Sequence, residues 1–420
     1  MRYTLLVQTL IACALLWHAT ACPLHVRDEG STPLVNHRRS APIARCNKTA
    51  IEDVSIFNGS HFEPEQTVCL EGGYIVQTGA CANRTVTVNG TGKYLIPGLF
   101  DSHIHLTDVQ SLENFTSYGG TTAMHMNCKN YTQCAIMANQ PGLASFVYAG
   151  RSAVGNGSLH EANDPTRPKD TLIYPDTNVS QFVAWQFGNG SDFHKITAEV
   201  NGPSVQQQID MVKTAHCQYL KQTMTHASAV TAYEQAVESL TDGIQHVPDD
   251  GILDDALIQT IKRQGQFVTP TLNVFEYAYT DPVLQQYFHV EPNSNRSLSH
   301  AQTNAQRLYQ AGIPMIAGTD SVGSLVQNGT TIEVPFGLTV HYEMQNLVNI
   351  VGMSPAEAIN AATREAARWH RLMDRGTIEV GKKADLVLLK SNPLANISNT
   401  LDIESIWAGG MQVVHVTRKA

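Results

Sequence analysis

The chain alternates short β-type runs with helical patterns. The runs are the stretch leading into His105, then Thr121–Met126, Ala144–Ala149, Phe193–Thr197, Lys221–His226, Gly243–Val247, Phe267–Thr271 and Met315–Asp320. Helical patterns between them include Gln206–Tyr219, Val230–Leu240, Asp254–Gln264 and Ser299–Ala311. A helix between two strands returns the chain to the same end of a sheet, so the strands run parallel. Eight such runs over this length predict an α/β fold, a (β/α)8 TIM barrel spanning residues 95–375. Residues 155–180, rich in Gly, Asn, Asp, Pro and Thr, follow the third strand. They read as a long loop at the catalytic end or a surface insertion.

Both ends of the chain carry a different texture. Val54–Phe57, Gln66–Val68, Tyr74–Val76 and Thr85–Val88 are short β-runs separated by Asn58-Gly59, Gly72-Gly73 and Asn89-Gly90 turns, and predict a small antiparallel sheet. After helices expected at Phe336–Val351 and Pro355–Leu372, strand texture returns at Gly376–Val380, Asp385–Leu389 and Gln412–Val416. The second helix opens with Ser354-Pro355-Ala356-Glu357, the signature of a capping box with proline in the first turn. A small β-sandwich built from residues 52–94 and 376–420 is expected beside the barrel. Residues 22–51 show no sustained period and read as an extended surface segment.

The N-terminus reads as a cleaved secretory signal over residues 1–21, with Arg2, an apolar run from Leu5 to Leu16, and Ala19-Thr20-Ala21. The run is short for a membrane span, so no membrane association is expected after cleavage. A dozen Asn-x-Ser/Thr triplets begin at Asn47, Asn58, Asn83, Asn89, Asn114, Asn130, Asn156, Asn178, Asn189, Asn295, Asn328 and Asn396, and predict a secreted, extracellular glycoprotein. Removing the signal leaves seven cysteines, so at least one is free or paired between chains. Proximity favours Cys69–Cys81 and Cys128–Cys134, and Cys217, in a helical pattern, reads as a buried thiol. The net charge of -9, without a basic stripe, excludes nucleic acid as an expected partner. A homo-oligomer stays open.

In parallel barrels the chemistry sits at the C-terminal ends of the strands. Those ends supply His103 and His105, then Lys195, His226, His246 and Asp320. On a strand, His103 and His105 share a face because side chains alternate. Singly, each residue has an ordinary reading as a core, surface or turn residue. Together, in strand order, they make four histidines, a lysine and an aspartate converging on one mouth. Arg151 and His125 stand near the ends of the third and second runs and are candidate substrate contacts. A guanidinium at Arg151 could hold a substrate carboxylate bidentately. His194, Asn273 and Tyr277 also lie near strand ends, whereas His341 and Glu343 read as structural.

At these positions the sequence resembles the amidohydrolase superfamily, in its imidazolonepropionase-like branch with prolidase-type dipeptidases and fungal ochratoxinase. The resemblance covers roughly residues 52–416. It rests on Pro97-Gly98-Leu99-Phe100-Asp101-Ser102-His103-Ile104-His105, the Lys195 strand, His226 and His246, and Ala317-Gly318-Thr319-Asp320-Ser321. The tail from Ser354 to Thr363 and Gly381-Lys382-Lys383-Ala384-Asp385 adds to it. The resemblance implies two divalent metal ions, with Zn2+ expected. His103, His105 and Asp320 would hold one, and His226 and His246 the other. Lys195, carboxylated by CO2, would bridge them, because a lysine ammonium has no acceptor. It further implies that Asp320 moves the proton from a metal-activated hydroxide to the leaving amine.

Two departures from the branch lie near the mouth. Thr197-Ala198-Glu199-Val200-Asn201-Gly202-Pro203 replaces a glycine-rich loop, and Gln245-His246-Val247 replaces Glu-His-Gly. The expected activity is hydrolysis of an amide in a small peptide-like or N-acyl amino acid substrate. Lactone or ester hydrolysis is an alternative, and so is a non-catalytic secreted glycoprotein on the same fold.

Overall fold

A computed structural model describes residues 48–84, 86–288, 290, 294–327 and 329–413. The expected signal, most of the 22–51 segment, Cys22, Cys46, the Asn47 and Asn328 triplets and the chain beyond Val413 lie outside the described residues.

In chain order the first strands are β1 (Thr49–Phe57), β2 (Phe62–Glu71), β3 (Tyr74–Val76), β4 (Val86–Asn89) and β5 (Tyr94–Pro97). Next come β6 (Leu99–Ile104), β7 (Gly120–His125), β8 (Ser145–Tyr148), β9 (His194–Thr197), β10 (Thr223–His226), β11 (Gly243–Gln245) and β12 (Phe267–Thr269). A hairpin, β13 (Gly323–Gln327) and β14 (Thr330–Val334), precedes β15 (Leu386–Leu389), β16 (Ile403–Ala408) and β17 (Met411–Val413).

The two ends of the chain do share one sheet, ordered β17-β16-β15-β5-β1-β2-β3, with β4 also on β1. It is mixed rather than antiparallel, because β4 and β5 both run parallel to β1. β1 starts at Thr49, inside the segment expected to lie loosely on the surface. Thr49, Ala50 and Ile51 are buried and pair with Leu70, Cys69 and Val68, so packing orders residues whose own sequence carries no period.

The chain between these ends forms parallel sheets β6-β7-β8 and β9-β10-β11-β12, flanked by helices. Single parallel bridges link them onward: Ala149 to Phe193, Val268 to Met315, and Ile104 to Ser321. The eighth expected run, Met315–Asp320, therefore contributes bridges and not a continuous ladder. It passes close to its neighbours: a Cβ on Gly318 would lie 2.8 Å from the His103 backbone nitrogen.

The Ser354–Glu357 capping box forms as expected. The helix it opens does not run to Leu372 but stops at Ala361, and another begins at Arg364. The carbonyls of Ala361 and Ala362 accept from Ala317 and Phe100, so the strands take hydrogen bonds a continuous helix would keep. Likewise the helix expected over Phe336–Val351 is α-helical only at Leu338–Asn346 and continues as a π-turn at Leu347–Val351. The expected loop at 155–180 carries a short helix, Leu159–Ala162, and the start of another, Val179–Gly188. The disulfides Cys69–Cys81 and Cys128–Cys134 are present. Cys217 corrects its expectation: it is exposed on the helix Val205–Tyr219 and disulfide-bonded, not a buried thiol.

Candidate active site

All six strand-end residues meet at one place. His103 Nε2 and His105 Nε2 lie 3.4 and 3.1 Å from Asp320 Oδ1. The His246 ring centre is 4.7 Å from that of His103 and 4.4 Å from that of His226. Lys195 lies among them, close enough that its charge is felt at His103, His226 and His246. Ligand atoms of His103, His246 and Asp320 all fall within 4.8 Å of one another. This triad brings His246 beside His103 and Asp320, with His105 also against the Asp320 carboxylate.

The local backbone explains the aim of these side chains. β6 is buried along its whole length, and Asp101 within it accepts from the His103 and Thr319 backbone nitrogens and from the Thr319 hydroxyl. It thereby joins the first and last strand ends. His246 and Asp320 both have positive φ, 73° and 56°, and so does Thr271 at 51°. Such backbone is strained for these residues and is held only by the surrounding structure. The bends let successive strand ends point inward at one level.

Buried neighbours fix the rings. Gln245 Oε1 lies 2.9 Å from His103 Nδ1, and Thr271 Oγ1 lies 2.7 Å from His246 Nδ1. With Nδ1 engaged, Nε2 of each ring is left to face the cluster. Burial, then Lys195, hold His103 well below the usual imidazole range, and burial lowers His246 to about 3. These rings are therefore neutral, the form that ligates metal. Burial also lowers the Lys195 amine to about 7, and its Nζ has no hydrogen-bond partner among the described residues. Burial pushes Asp320 up, but His105 and His246 outweigh it together and keep the carboxyl below its ordinary value. Neutral imidazoles, an ionised carboxylate and a buried amine without a partner make a donor set suited to divalent metal.

Residues 184–413 match the sequence profile of the amidohydrolase family. The chain belongs to that family. It is a hydrolase acting on carbon–nitrogen bonds. The amidohydrolase is 28% identical over 354 residues to a 5-methylthioadenosine/S-adenosylhomocysteine deaminase of Caldanaerobacter subterraneus, covering 73% of this chain and 75% of the relative. It is 24% identical over 350 residues to an imidazolonepropionase of Shouchella clausii, covering 73% of each. In structure it is similar to a Xaa-Pro dipeptidase, with a TM-score of 0.72 at 19% identity, over 87% of this chain and 99% of the other. That likeness supports a TIM-barrel-like α/β fold. His103 and His105 precede the matched span, so their place in the site rests on the geometry above.

The remaining candidates divide. His125 borders the cluster, its ring 6.1 Å from that of His105 and its Nε2 2.9 Å from the Asn127 carbonyl. Arg151 turns to the Lys129 carbonyl and makes no described contact with the six. His194 faces outward to Met211. Asn273 and Tyr277 lie on the helix Leu272–Thr280, whose first backbone nitrogens donate to Glu343. His341 is held between Thr400 and the Tyr118 carbonyl. Sequence reasoning missed His160, whose ring packs edge-on at 4.4 Å against His226. Its only signal was membership of a segment of turn-forming composition.

Proposed function

We propose that this amidohydrolase is a secreted, metal-dependent enzyme that hydrolyses an amide in a small peptide-like or N-acyl amino acid substrate. The observation that carries the reading is the convergence of His103, His105, Lys195, His226, His246 and Asp320, with the rings of His103, His226 and His246 kept neutral by burial and a buried lysine amine among them. His103, His105 and Asp320 would hold one divalent ion, His226 and His246 a second, and a Lys195 carbamate would serve both. Zn2+ suits the imidazole and carboxylate donors. A neutral amine is the form that adds CO2, and burial favours it at Lys195.

When bound, the metals supply Lewis acidity toward the scissile carbonyl and a hydroxide at neutral pH. Asp320, the carboxylate of the cluster and 13% exposed, takes a proton and passes it to the leaving amine. Gln245 and Thr271 keep the rings of His103 and His246 oriented throughout.

The parallel sheets and their bridges support a closed (β/α)8 barrel spanning 95–375, with the end sheet of 52–94 and 376–420 as a small sandwich-like domain. Secretion is supported by the leader at 1–21 and by the Asn-x-Ser/Thr triplets. Of the ten whose asparagines are described, nine have an exposed asparagine and Asn114 is partly buried. Protein secreted by a eukaryotic host should carry N-glycans and begin after residue 21, and about two metal ions per chain should be found by elemental analysis. A screen of dipeptides, N-acyl amino acids and lactones then tests the reaction. Metal-free protein without a carbamate at Lys195, or turnover of lactones alone, would sink the reading.

A further inference from the structure

Glu199 stands in the turn after β9, and its carboxylate reaches across to the loop after β8. Its Oε2 lies 2.9 Å from His160 Nδ1, and its Oε1 accepts from the His160 backbone nitrogen at 3.4 Å. The same two loops are clasped again at Asn201, whose Nδ2 donates to the Gly157 carbonyl at 3.1 Å. Their approach is so close that a Cβ on Gly155 would sit 2.0 Å from the Asn201 carbonyl oxygen. His160 is thereby pressed between Glu199 and His226.

His160 is also among the most open polar groups of the cluster. Its side chain is 33% exposed, beside 30% for His105 and 13% for Asp320. A substrate entering the mouth meets His160 on the His226 side. Glu199 behind it is 11% exposed and pairs with no lysine or arginine among the described residues. Of the basic side chains felt at His226, Lys195 is the amine proposed to carry the carbamate, and Arg296 is already bound to Asp249 by Nε and Nη2. Arg151, the group expected to take a substrate carboxylate, faces elsewhere. This side of the mouth therefore offers an imidazole and a carboxylate and no free cation from these groups. An ammonium is attracted there and a carboxylate repelled.

We propose that the Glu199–His160 pair selects the substrate by receiving a free amino group on the His226 side, so that unblocked dipeptides or aminoacyl amides are preferred to their N-acylated forms. His160 makes the contact and Glu199 positions it. The inference rests on the amide-hydrolase reading and narrows it.

The test uses the metal-loaded full chain and matched pairs: a dipeptide with a free amino terminus and its N-acetyl counterpart. Kinetics give KM and kcat, and calorimetry gives affinity for the same compounds. The free-amine compound should show KM lower by about tenfold, with kcat little changed. Glu199→Gln should remove most of that preference at unchanged metal content and melting temperature, and Glu199→Asp, which keeps the charge, should retain part of it. Equal or better handling of the N-acetyl compound by the wild type overturns the proposal, as does a Glu199→Gln enzyme that keeps the full preference. If neither compound is hydrolysed by metal-loaded protein, the amide-hydrolase reading fails. Calorimetry then still decides this proposal, which stands only if the free-amine compound binds more tightly. Should Glu199→Gln fail to fold, the wild-type comparison and Glu199→Asp decide the same question.

Discussion

Strand β10 begins in one buried polar cluster and ends in another, and the two are built on opposite principles. At its start, Asp242 accepts from His216 Nε2 at 2.7 Å, from the Thr223 backbone nitrogen at 2.9 Å and from Arg371 Nη2 at 3.1 Å. Both carboxylate oxygens are engaged, and the Arg371 cation matches the charge. At its end, His226 joins a cluster in which Asp320 meets only the edges of His103 and His105 and the Lys195 amine has no partner among the described residues. The first arrangement satisfies its charges for stability. The second gathers donors at a cost in stability, as expected where chemistry and not folding sets the design.

The comparison breaks most visibly at its two aspartates. Asp320→Asn should leave the fold intact by circular dichroism and lower turnover by about 10^4-fold, since it removes both a metal ligand and the proton carrier. Retained turnover would remove Asp320 from the reaction. Asp242→Ala should do the reverse. It strands His216 and Arg371 without their carboxylate and should lower unfolding free energy by about 4 kcal/mol. Activity per folded molecule should hold, because Asp242 lies at the far end of the strand from the donors. Urea denaturation alongside active-site titration separates the two. If turnover of the folded fraction falls as far as in Asp320→Asn, the division between the ends is wrong.

The sequence made the two clusters unequally readable. His103 and His105 could be found because a strand puts alternate residues on one face, and Lys195, His226, His246 and Asp320 because each lies near the end of a β-run. Asp242 and His216 gave no such signal, since a buried hydrogen-bonded pair has no fixed sequence spacing: their contact spans 26 residues. His160 was hidden for the same reason, placed by a clasp between two loops and not by a periodicity. Helix ends were readable where capping chemistry sets them, as at Ser354, and unreadable where strands took the carbonyls, as at Ala361 and Ala362. The start of β1 at Thr49 likewise depends on partners across the sheet.

A finer break lies between ligand and support. Gln245 is fully buried, and its Oε1 holds His103 Nδ1 at 2.9 Å. Gln245→Leu keeps the bulk and removes the acceptor, so His103 can turn. Metal affinity, measured by competition with a chelator, should fall by about 10- to 100-fold with little loss of melting temperature in the metal-free protein. Unchanged affinity would mean that packing alone orients the ring.

The smallest effect is also the most direct reading of how the donor cluster costs stability. Burial lowers Lys195 from 10.5 to about 7, so between those values the unfolded chain binds a proton that the folded one does not. The metal-free protein should therefore gain stability as pH rises from about 7 toward 10, by at most about 1.4 kcal/mol per unit from this group. Other buried groups act in the opposite sense: burial raises Asp101 to about 7 and Glu343 to about 8, and each contributes stability that is lost as pH rises through those values. The slope must be isolated by difference. Urea unfolding of wild type and of Lys195→Met, both metal-free and under nitrogen to exclude CO2, should show a positive wild-type excess in slope between about pH 8 and 9. No excess would mean that Lys195 keeps its proton in the folded state, and an amine that stays charged could not take up CO2 near neutrality.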